Sequence, residues 1–280
     1  MTAIDLPLGQ RPDEAGPPIS AGPQSYSDEV TVRLTADAAQ IIARYPVARS
    51  ALLPLLHLVQ SQDGYLTPAG IAFCARQLAL TPAEVTAVAT FYSMYRRTPT
   101  GKYLVGVCTN TLCAVMGGDA ILEILQDHLG VHAGQSTADG SITLEHIECN
   151  AACDFAPVIM VNWEFFDNQT PSTARDLVDA LRSGDQVTPS RGAPLCTFTD
   201  TARILAGFPD ERPGANDGAP GQATLAGLRI ARERGMSAPE SGTPAQVQKP
   251  DEERLTEESV RDQPAPAPSE DLPPRNGDRR

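Results

Sequence analysis

The chain lacks long apolar runs, has few lysines and shows no basic, apolar leader at its start. Its best apolar run, residues 51–59, is far shorter than the roughly 20 residues that span a membrane. Only two of its 22 basic residues are lysines and its formal net charge is −13, which argues against binding to nucleic acid backbones. We therefore expect a cytoplasmic chain that has protein partners, binds no nucleic acid and inserts into no membrane.

The end of the chain is poor in aromatic residues and rich in proline. The last 80 residues contain one aromatic side chain, Phe208, and 11 of the 25 prolines. Such a composition buries too little apolar surface to offset the conformational entropy of an ordered chain. We predict a flexible N-terminus over residues 1–27 and an extended or disordered, acidic tail over residues 196–280. Within that tail, the apolar and basic residues 223–235 are predicted to form a docking segment.

Residues 28–98 show helical periodicity with short connections, which predicts a small helical bundle. Thr67 and Thr81 are predicted N-caps because each is followed by proline, and Glu84 completes a capping box with Thr81. Ser50 is the expected cap of the preceding helix. The helices are predicted near residues 35–44, 50–62, 68–78 and 82–95.

Residues 99–195 change to a β-α-β-β-α pattern. Asp119 is the expected cap of the first of these helices, and Gly130 its end. The order predicts a thioredoxin-like α/β layer on one sheet, and it leaves the strand pairing open. The predicted strands are YLVGV, SITLEHIE and VIMVNW, and the predicted helices are DAILEILQDHLG and PSTARDLVDALRSG. The predicted fold class is therefore α+β, with a helical bundle at residues 28–98 followed by this domain.

Four of the six cysteines form two close pairs, CTNTLC and CNAAC. Cys108 ends the first predicted strand and Cys149 ends the second, while Cys113 and Cys153 lie further along the same two loops. Two loops at strand ends can therefore hold four thiols around a small group.

Three kinds of cysteine chemistry compete at these pairs. Disulfides are disfavoured because an intracellular chain keeps its thiols reduced. Structural zinc suits four thiolates, but zinc ribbons usually pair two C-x-x-C motifs, and the spacings here are wider. In a [2Fe-2S] cluster each iron takes two thiolates, so two pairs match two irons. The spacing favours the cluster, although thiolate sites admit both metals.

The remaining candidate residues have simpler interpretations. Cys74 is predicted to be a buried thiol in the helical bundle, and Cys196 is left out of the site. His146 is predicted to be a solvated strand residue, and no histidine pair points to a Rieske site. Gly117 and Gly118 lack the lysine of a phosphate loop, so we expect these small residues to let backbone amides approach the sulfurs of the cysteine site.

Three stretches, ATFYSMY, GKYLVGVCTNTLCAVMGG and IECNAACDFAPVIMVN, closely resemble the E-subunit family of NADH-quinone oxidoreductase, the thioredoxin-like [2Fe-2S] subunits of respiratory complex I. The resemblance runs from about residue 45 to residue 184. It implies that one [2Fe-2S] cluster is ligated by Cys108, Cys113, Cys149 and Cys153. One departure is the sequence Asn150-Ala151-Ala152, where many members have leucine and glycine before the fourth ligand.

The resemblance also implies a function within a larger enzyme. The chain would be an electron carrier without a catalytic acid, base or nucleophile, exchanging single electrons with the FMN of a partner flavoprotein subunit that oxidises NADH. Further iron–sulfur subunits would be partners, and the assembly would lie on the inner face of the cell membrane, with this chain peripheral. Two alternatives stay open: an equivalent diaphorase subunit of an NAD-linked hydrogenase or formate dehydrogenase, and a zinc-stabilised interaction module.

Overall fold

The computed structural model describes residues 19–215 and 222–236, which belong to two separate units. Most of the predicted flexible N-terminus and the predicted tail beyond residue 236 lie outside the described residues. In the first unit the helices are α1 (Asp28–Ile42), α2 (Leu52–Asp63), α3 (Pro68–Leu78), α4 (Pro82–Phe91), α5 (Thr111–Val115), α6 (Gly118–Leu129), α7 (Pro171–Ser183) and α8 (Phe198–Leu205). Its strands are β1 (Tyr103–Cys108), β2 (Ile142–Ile147), β3 (Ile159–Val161) and β4 (Glu164–Phe166).

The starts of α3 and α4 follow the predicted capping chemistry. The Thr67 hydroxyl accepts a hydrogen bond from the Gly70 backbone N–H at 3.1 Å. At α4, the Glu84 N–H donates to the Thr81 hydroxyl at 3.3 Å, and the Thr81 N–H donates to the Glu84 carboxylate at 2.9 Å. Both caps are confirmed, because each depends only on residues three positions apart.

The start of α2 differs from the prediction that Ser50 is its cap. Ser50 lies inside a 3₁₀ turn, Ala48–Ala51, and its N–H donates to the Val47 carbonyl at 3.0 Å. The α-helix begins two residues later, with no side-chain cap. Pro54 is consequently the third residue of α2, where a backbone N–H has no partner within the helix.

The four N-terminal helices enclose an apolar core and are tied to the sheet by a buried polar link. Fully buried residues of this core include Leu34, Ile41, Leu55, Leu56, Leu58, Phe73 and Val85. The buried Gln60 side chain donates to the Met94 carbonyl at 3.1 Å and accepts from the Arg96 N–H at 2.8 Å. The Arg96 guanidinium then pairs with Glu145 on β2 at 2.7 Å, so the segment after α4 is fixed to the sheet.

The sheet has the strand order β2-β1-β3-β4. β1 pairs in parallel with β2, whereas β1 with β3 and β3 with β4 are antiparallel. Asn162 and Trp163 join β3 to β4 in a two-residue turn, and both have positive φ, at 48° and 68°. Positive φ at both positions is the geometry of the tight hairpin turn that matches strand twist.

Helices α6 and α7 pack together with the sheet. Their buried apolar residues are Ile121, Leu125, Ala174, Leu177, Val178 and Leu181, which meet Val105, Val107, Ile142, Leu144 and Ile159 from the strands. The predicted β-α-β-β-α order is confirmed, with α5 and β4 as additions. Asp119 is not the cap of α6, because the helix starts at Gly118 and the cap position is Gly117, with φ 111°.

The chain after residue 195 is folded where an extended tail was predicted. Thr197 caps α8 by accepting from the Asp200 N–H at 3.2 Å. Phe198, Ala202 and Ala206 are buried, so the prediction of an extended segment is wrong for residues 198–206.

Distant contacts explain why α8 forms. It packs against α2, and its Arg203 pairs with Asp37 of α1 at 2.8 Å. The Phe198 ring lies 5.6 Å from the ring of Trp163 in the β3–β4 turn. α8 therefore contacts both the helical part and the sheet part of this unit.

The second described unit contains one helix, α9 (Gln222–Glu233), in the segment predicted to dock. Its apolar residues Leu225, Leu228 and Ile230 are exposed. The helix was not anticipated from the spacing of these residues. In the described ranges, no helix is both long enough and apolar enough to cross a membrane.

Candidate metal centre

The parallel pairing of β1 with β2 brings the two cysteine loops to one edge of the sheet. Cys108 is the last residue of β1, and its register partner Ile147 is the last residue of β2. Because parallel strands run in the same direction, the loops that follow both strands leave the sheet at the same edge. Cys113 lies in α5 on the first loop, and Cys149 follows β2 by two residues on the second.

The four thiols line one small cavity. Its lining residues are Cys108, Cys113, Cys149, Asn150, Ala152, Cys153 and Val158. The Cys149 and Cys153 sulfurs are 3.5 Å apart, and Cys108 and Cys113 are buried together in one apolar cluster. The structure therefore brings together all four cysteines predicted from the sequence, as two close pairs.

The two pairs differ in exposure. Cys108 and Cys113 are each 3% exposed, while Cys149 and Cys153 are exposed to solvent. The buried pair rests in an apolar cluster with Ala152, Ala156, Val158 and Met160. One side of the cavity is consequently apolar, and the other side faces solvent.

Two of the thiols, Cys108 and Cys153, have a raised pKa. Burial raises the pKa of Cys108 to about 11, with further contributions from the hydrogen bond with Cys113 and its charge. The Asn110 backbone N–H opposes this rise. The hydrogen bond with Cys149, followed by its charge, raises the pKa of Cys153. Four neighbouring thiolates need positive charge between them, which bound iron supplies.

The first loop is held by a close backbone approach at Gly118. A Cβ on this residue would fall against the Cys108 carbonyl oxygen and 2.9 Å from the Cys113 carbonyl oxygen. Only a residue without a side chain fits beside both carbonyls. Gly118 therefore packs on the cysteine loop itself, while the approach of backbone amides at Gly117 and Gly118 to the sulfurs stays a prediction.

The second loop contains an alanine in a left-handed conformation. Ala151 has φ 54°, and its N–H points to the Cys149 sulfur, with the nitrogen 3.4 Å away. An L-residue pays a steric cost in this region that glycine does not. The departure from the common leucine-glycine sequence therefore coincides with a strained backbone position.

The donor set fits a two-iron group. The thiols are gathered as two pairs around one cavity, and each iron of a [2Fe-2S] cluster takes one pair of thiolates.

The two remaining cysteines and His146 were not predicted to be ligands. Cys74 is fully buried in the helical core, as predicted, and burial raises its pKa. Cys196 is half-buried, with its sulfur 3.1 Å from the Thr201 hydroxyl. His146 is exposed on β2, in agreement with its interpretation as a solvated residue.

The sequence did not reveal one polar contact between the two cysteine loops. The Asn110 side-chain amide donates a hydrogen bond to the Glu148 carboxylate. Each residue lies close to a cysteine in the sequence, but only the parallel register of β1 and β2 brings them together.

Known proteins match this chain over its cysteine domain and beyond. The family model for the thioredoxin-like [2Fe-2S] ferredoxin matches residues 38–182. The E subunit of NADH-quinone oxidoreductase from Mycobacterium tuberculosis is 65% identical over 237 residues, which cover 84% of this chain and 94% of that protein. NADH-quinone oxidoreductase subunit 2 of Thermus thermophilus is 37% identical, covering 53% of this chain and 83% of that protein. A crystal structure of an air-oxidized NAD⁺-reducing [NiFe]-hydrogenase matches at 23% identity and TM-score 0.44, covering 48% of this chain and 23% of that chain.

Proposed function

The chain belongs to the E-subunit family of NADH-quinone oxidoreductase, and on that premise we propose that Cys108, Cys113, Cys149 and Cys153 ligate its [2Fe-2S] cluster. The observation that carries the proposal is the gathering of two thiol pairs around one cavity at the edge where β1 and β2 end. Cys74 and Cys196 are excluded because one is fully buried in the helical core and the other bonds to Thr201.

The bound cluster supplies a one-electron acceptor and donor, and the chain's own residues hold it and set its environment. The apolar residues packed against Cys108 and Cys113 exclude water from one side of the cavity. The Asn110 backbone N–H stabilises the thiolate form of Cys108, and the Ala151 N–H points to the Cys149 sulfur, with the nitrogen 3.4 Å away. No proton transfer and no covalent step is required of any side chain.

We further propose that the electron partner is a flavoprotein subunit that oxidises NADH at FMN, with other iron–sulfur subunits in the same assembly. Large apolar residues are exposed on the cysteine loops themselves, namely Leu112, Val115, Met116 and Phe155. Exposed apolar side chains grouped near a redox centre favour a protein interface over free solvent. The proposed location is peripheral, on the inner face of the cell membrane. The equivalent diaphorase subunit of an NAD-linked hydrogenase or formate dehydrogenase is the alternative assembly.

We also propose that residues 223–235 dock on a neighbouring subunit. Leu225, Leu228 and Ile230 are exposed on α9, and Arg229 and Arg232 supply positive charge for an acidic partner. Truncation tests this: removal of residues 236–280 should leave copurification with the flavoprotein subunit intact, while removal of residues 215–280 should weaken it. Equal binding by both truncated chains and the full chain would show that α9 does not dock.

Single substitutions test the ligand assignment. Serine at position 108, 113, 149 or 153 should each lower iron and labile sulfide in the purified full chain, because serine supplies no thiolate. The matched controls, Cys196→Ser and Cys74→Ala, should keep the wild-type iron content. Loss of iron in Cys196→Ser, together with normal iron in Cys149→Ser, would show that a different set of four holds the cluster.

A further inference from the structure

A side-chain hydrogen bond joins the two cysteine loops next to the cavity. The Asn110 amide, between Cys108 and Cys113, donates to the carboxylate of Glu148, which immediately precedes Cys149. The two residues are 38 positions apart in the sequence. A carboxylate can only accept, so the amide nitrogen must be the donor.

The Asn110 side chain is free for this contact because it does not cap its own helix. It occupies the cap position of α5, where asparagine usually accepts a backbone N–H, but no side-chain cap hydrogen bond is formed. Its amide is directed across to the second loop instead. The position therefore joins two loops and contributes no side-chain cap to the short helix.

Apart from this hydrogen bond, the second loop meets the first through its buried Ala152, which packs in the same apolar cluster as Cys108 and Cys113. The pairing of β1 with β2 ends at Ile147, and residues 148–151 and Cys153 are exposed. The other hydrogen bonds described within residues 148–153 are local, such as Asn150 to the Glu148 carbonyl at 3.1 Å and Ala151 to the Cys149 sulfur at 3.4 Å. Relative movement of the loops would change the distance between the two thiol pairs.

On the basis of the proposed ligand set, we propose that Asn110 and Glu148 are positioning residues that hold the two cysteine loops at the separation required by the two irons. Hydrogen bonds to a charged acceptor are stronger than neutral ones and fix direction as well as distance. The contact also turns the Glu148 carboxylate toward Asn110, so its negative charge has a defined place next to Cys149 in the second loop.

Loss of the cluster to an iron chelator tests the positioning role in the full chain. Asn110→Ala removes the donor and should shorten the half-life of the visible absorbance by about tenfold, the effect expected for one hydrogen bond to a charged group. Asn110→Asp places two carboxylates face to face and should shorten it further. Gln62→Ala is the matched control. Gln62 lies in α2, far in the sequence from the cysteine loops, and its substitution removes an exposed hydrogen bond from the Arg33 side chain. It should leave the half-life unchanged.

A double variant that exchanges donor and acceptor between positions 110 and 148 distinguishes loss of this hydrogen bond from other effects of substituting Asn110. In the double variant Asn110→Asp/Glu148→Gln, the glutamine amide can donate to the aspartate, so the half-life should return to within about twofold of wild type. Glu148→Gln alone keeps an acceptor for Asn110 and removes a negative charge, so it should raise the reduction potential with less than about threefold change in half-life. Far-UV circular dichroism of each variant checks that the fold is retained.

The outcomes distinguish this inference from the ligand assignment. If the wild type binds the cluster but loses it no more slowly than Asn110→Ala does, the positioning role is wrong and the ligand assignment stands. Failure of the double variant to recover, when both Asn110 variants lose the cluster faster, also overturns it. Cluster retention in the four single cysteine variants would instead overturn the ligand assignment and this inference with it.

Discussion

The two cysteine loops hold the four proposed ligands by different means. The first is buried, begins at the end of a central strand, contains the helix α5 and packs against Gly118. The second is exposed, carries a left-handed alanine and is joined to the first through Asn110 and Glu148. The difference indicates that the first loop is a rigid part of the core, while the second faces solvent.

Thiol labelling should show the largest difference between the loops. In the chain freed of iron, an alkylating reagent should modify Cys149 faster than Cys108 by on the order of 100-fold, because burial limits access and raises the Cys108 pKa. Peptide mass spectrometry over time measures each site. The fully buried Cys74 is an internal control and should react as slowly as Cys108. Equal rates at Cys108 and Cys149 would contradict a rigid first loop.

Gly118→Ala should lower the free energy of unfolding by about 3 kcal/mol, because it forces a methyl group into the packed first loop. This is the upper range for such insertions. The added Cβ meets two backbone carbonyls, which cannot turn aside as a flexible side chain could. Urea denaturation and the iron content of the purified chain both report the effect. Gly130→Ala is the matched control, with φ 68° and no atom within 4 Å of the added Cβ. It should cost about 1 kcal/mol and leave iron unchanged.

Ala151→Gly should have the smallest effect and the opposite sign. It relieves the left-handed conformation of the second loop and should add about 1 kcal/mol to the unfolding free energy. Ala79 has φ 52° at the end of α3 and offers a matched control. Ala79→Gly relieves the same conformation at a position far in the sequence from the four proposed ligands. A loss of stability in Ala151→Gly beside a gain in Ala79→Gly would mean that the alanine methyl group makes a needed contact.

Local sequence signals predicted the elements that depend on near neighbours. The caps at Thr67 and Thr81 and the strand that ends on Cys108 were predictable because their causes lie within a few residues. The four candidate ligands stand out as two spaced cysteine pairs, whatever the strand order.

Contacts between distant residues were beyond such signals. The pairing of β1 with both β2 and β3 and the Asn110 to Glu148 hydrogen bond depend on the topology of the sheet. α8 was missed because its composition was averaged with a proline-rich segment, while its stability comes from Trp163 and Asp37. A usable signal was present, since Thr197 followed three residues later by Asp200 is a helix-start pattern.

Electron paramagnetic resonance of the dithionite-reduced full chain, with iron, sulfide and zinc measured on the same sample, tests the central claim most directly. Two thiol pairs around one cavity predict about two irons and two labile sulfides per chain and a spin-one-half signal of about one spin per chain. A stoichiometric zinc content, with no visible absorbance and no such signal, would contradict the account.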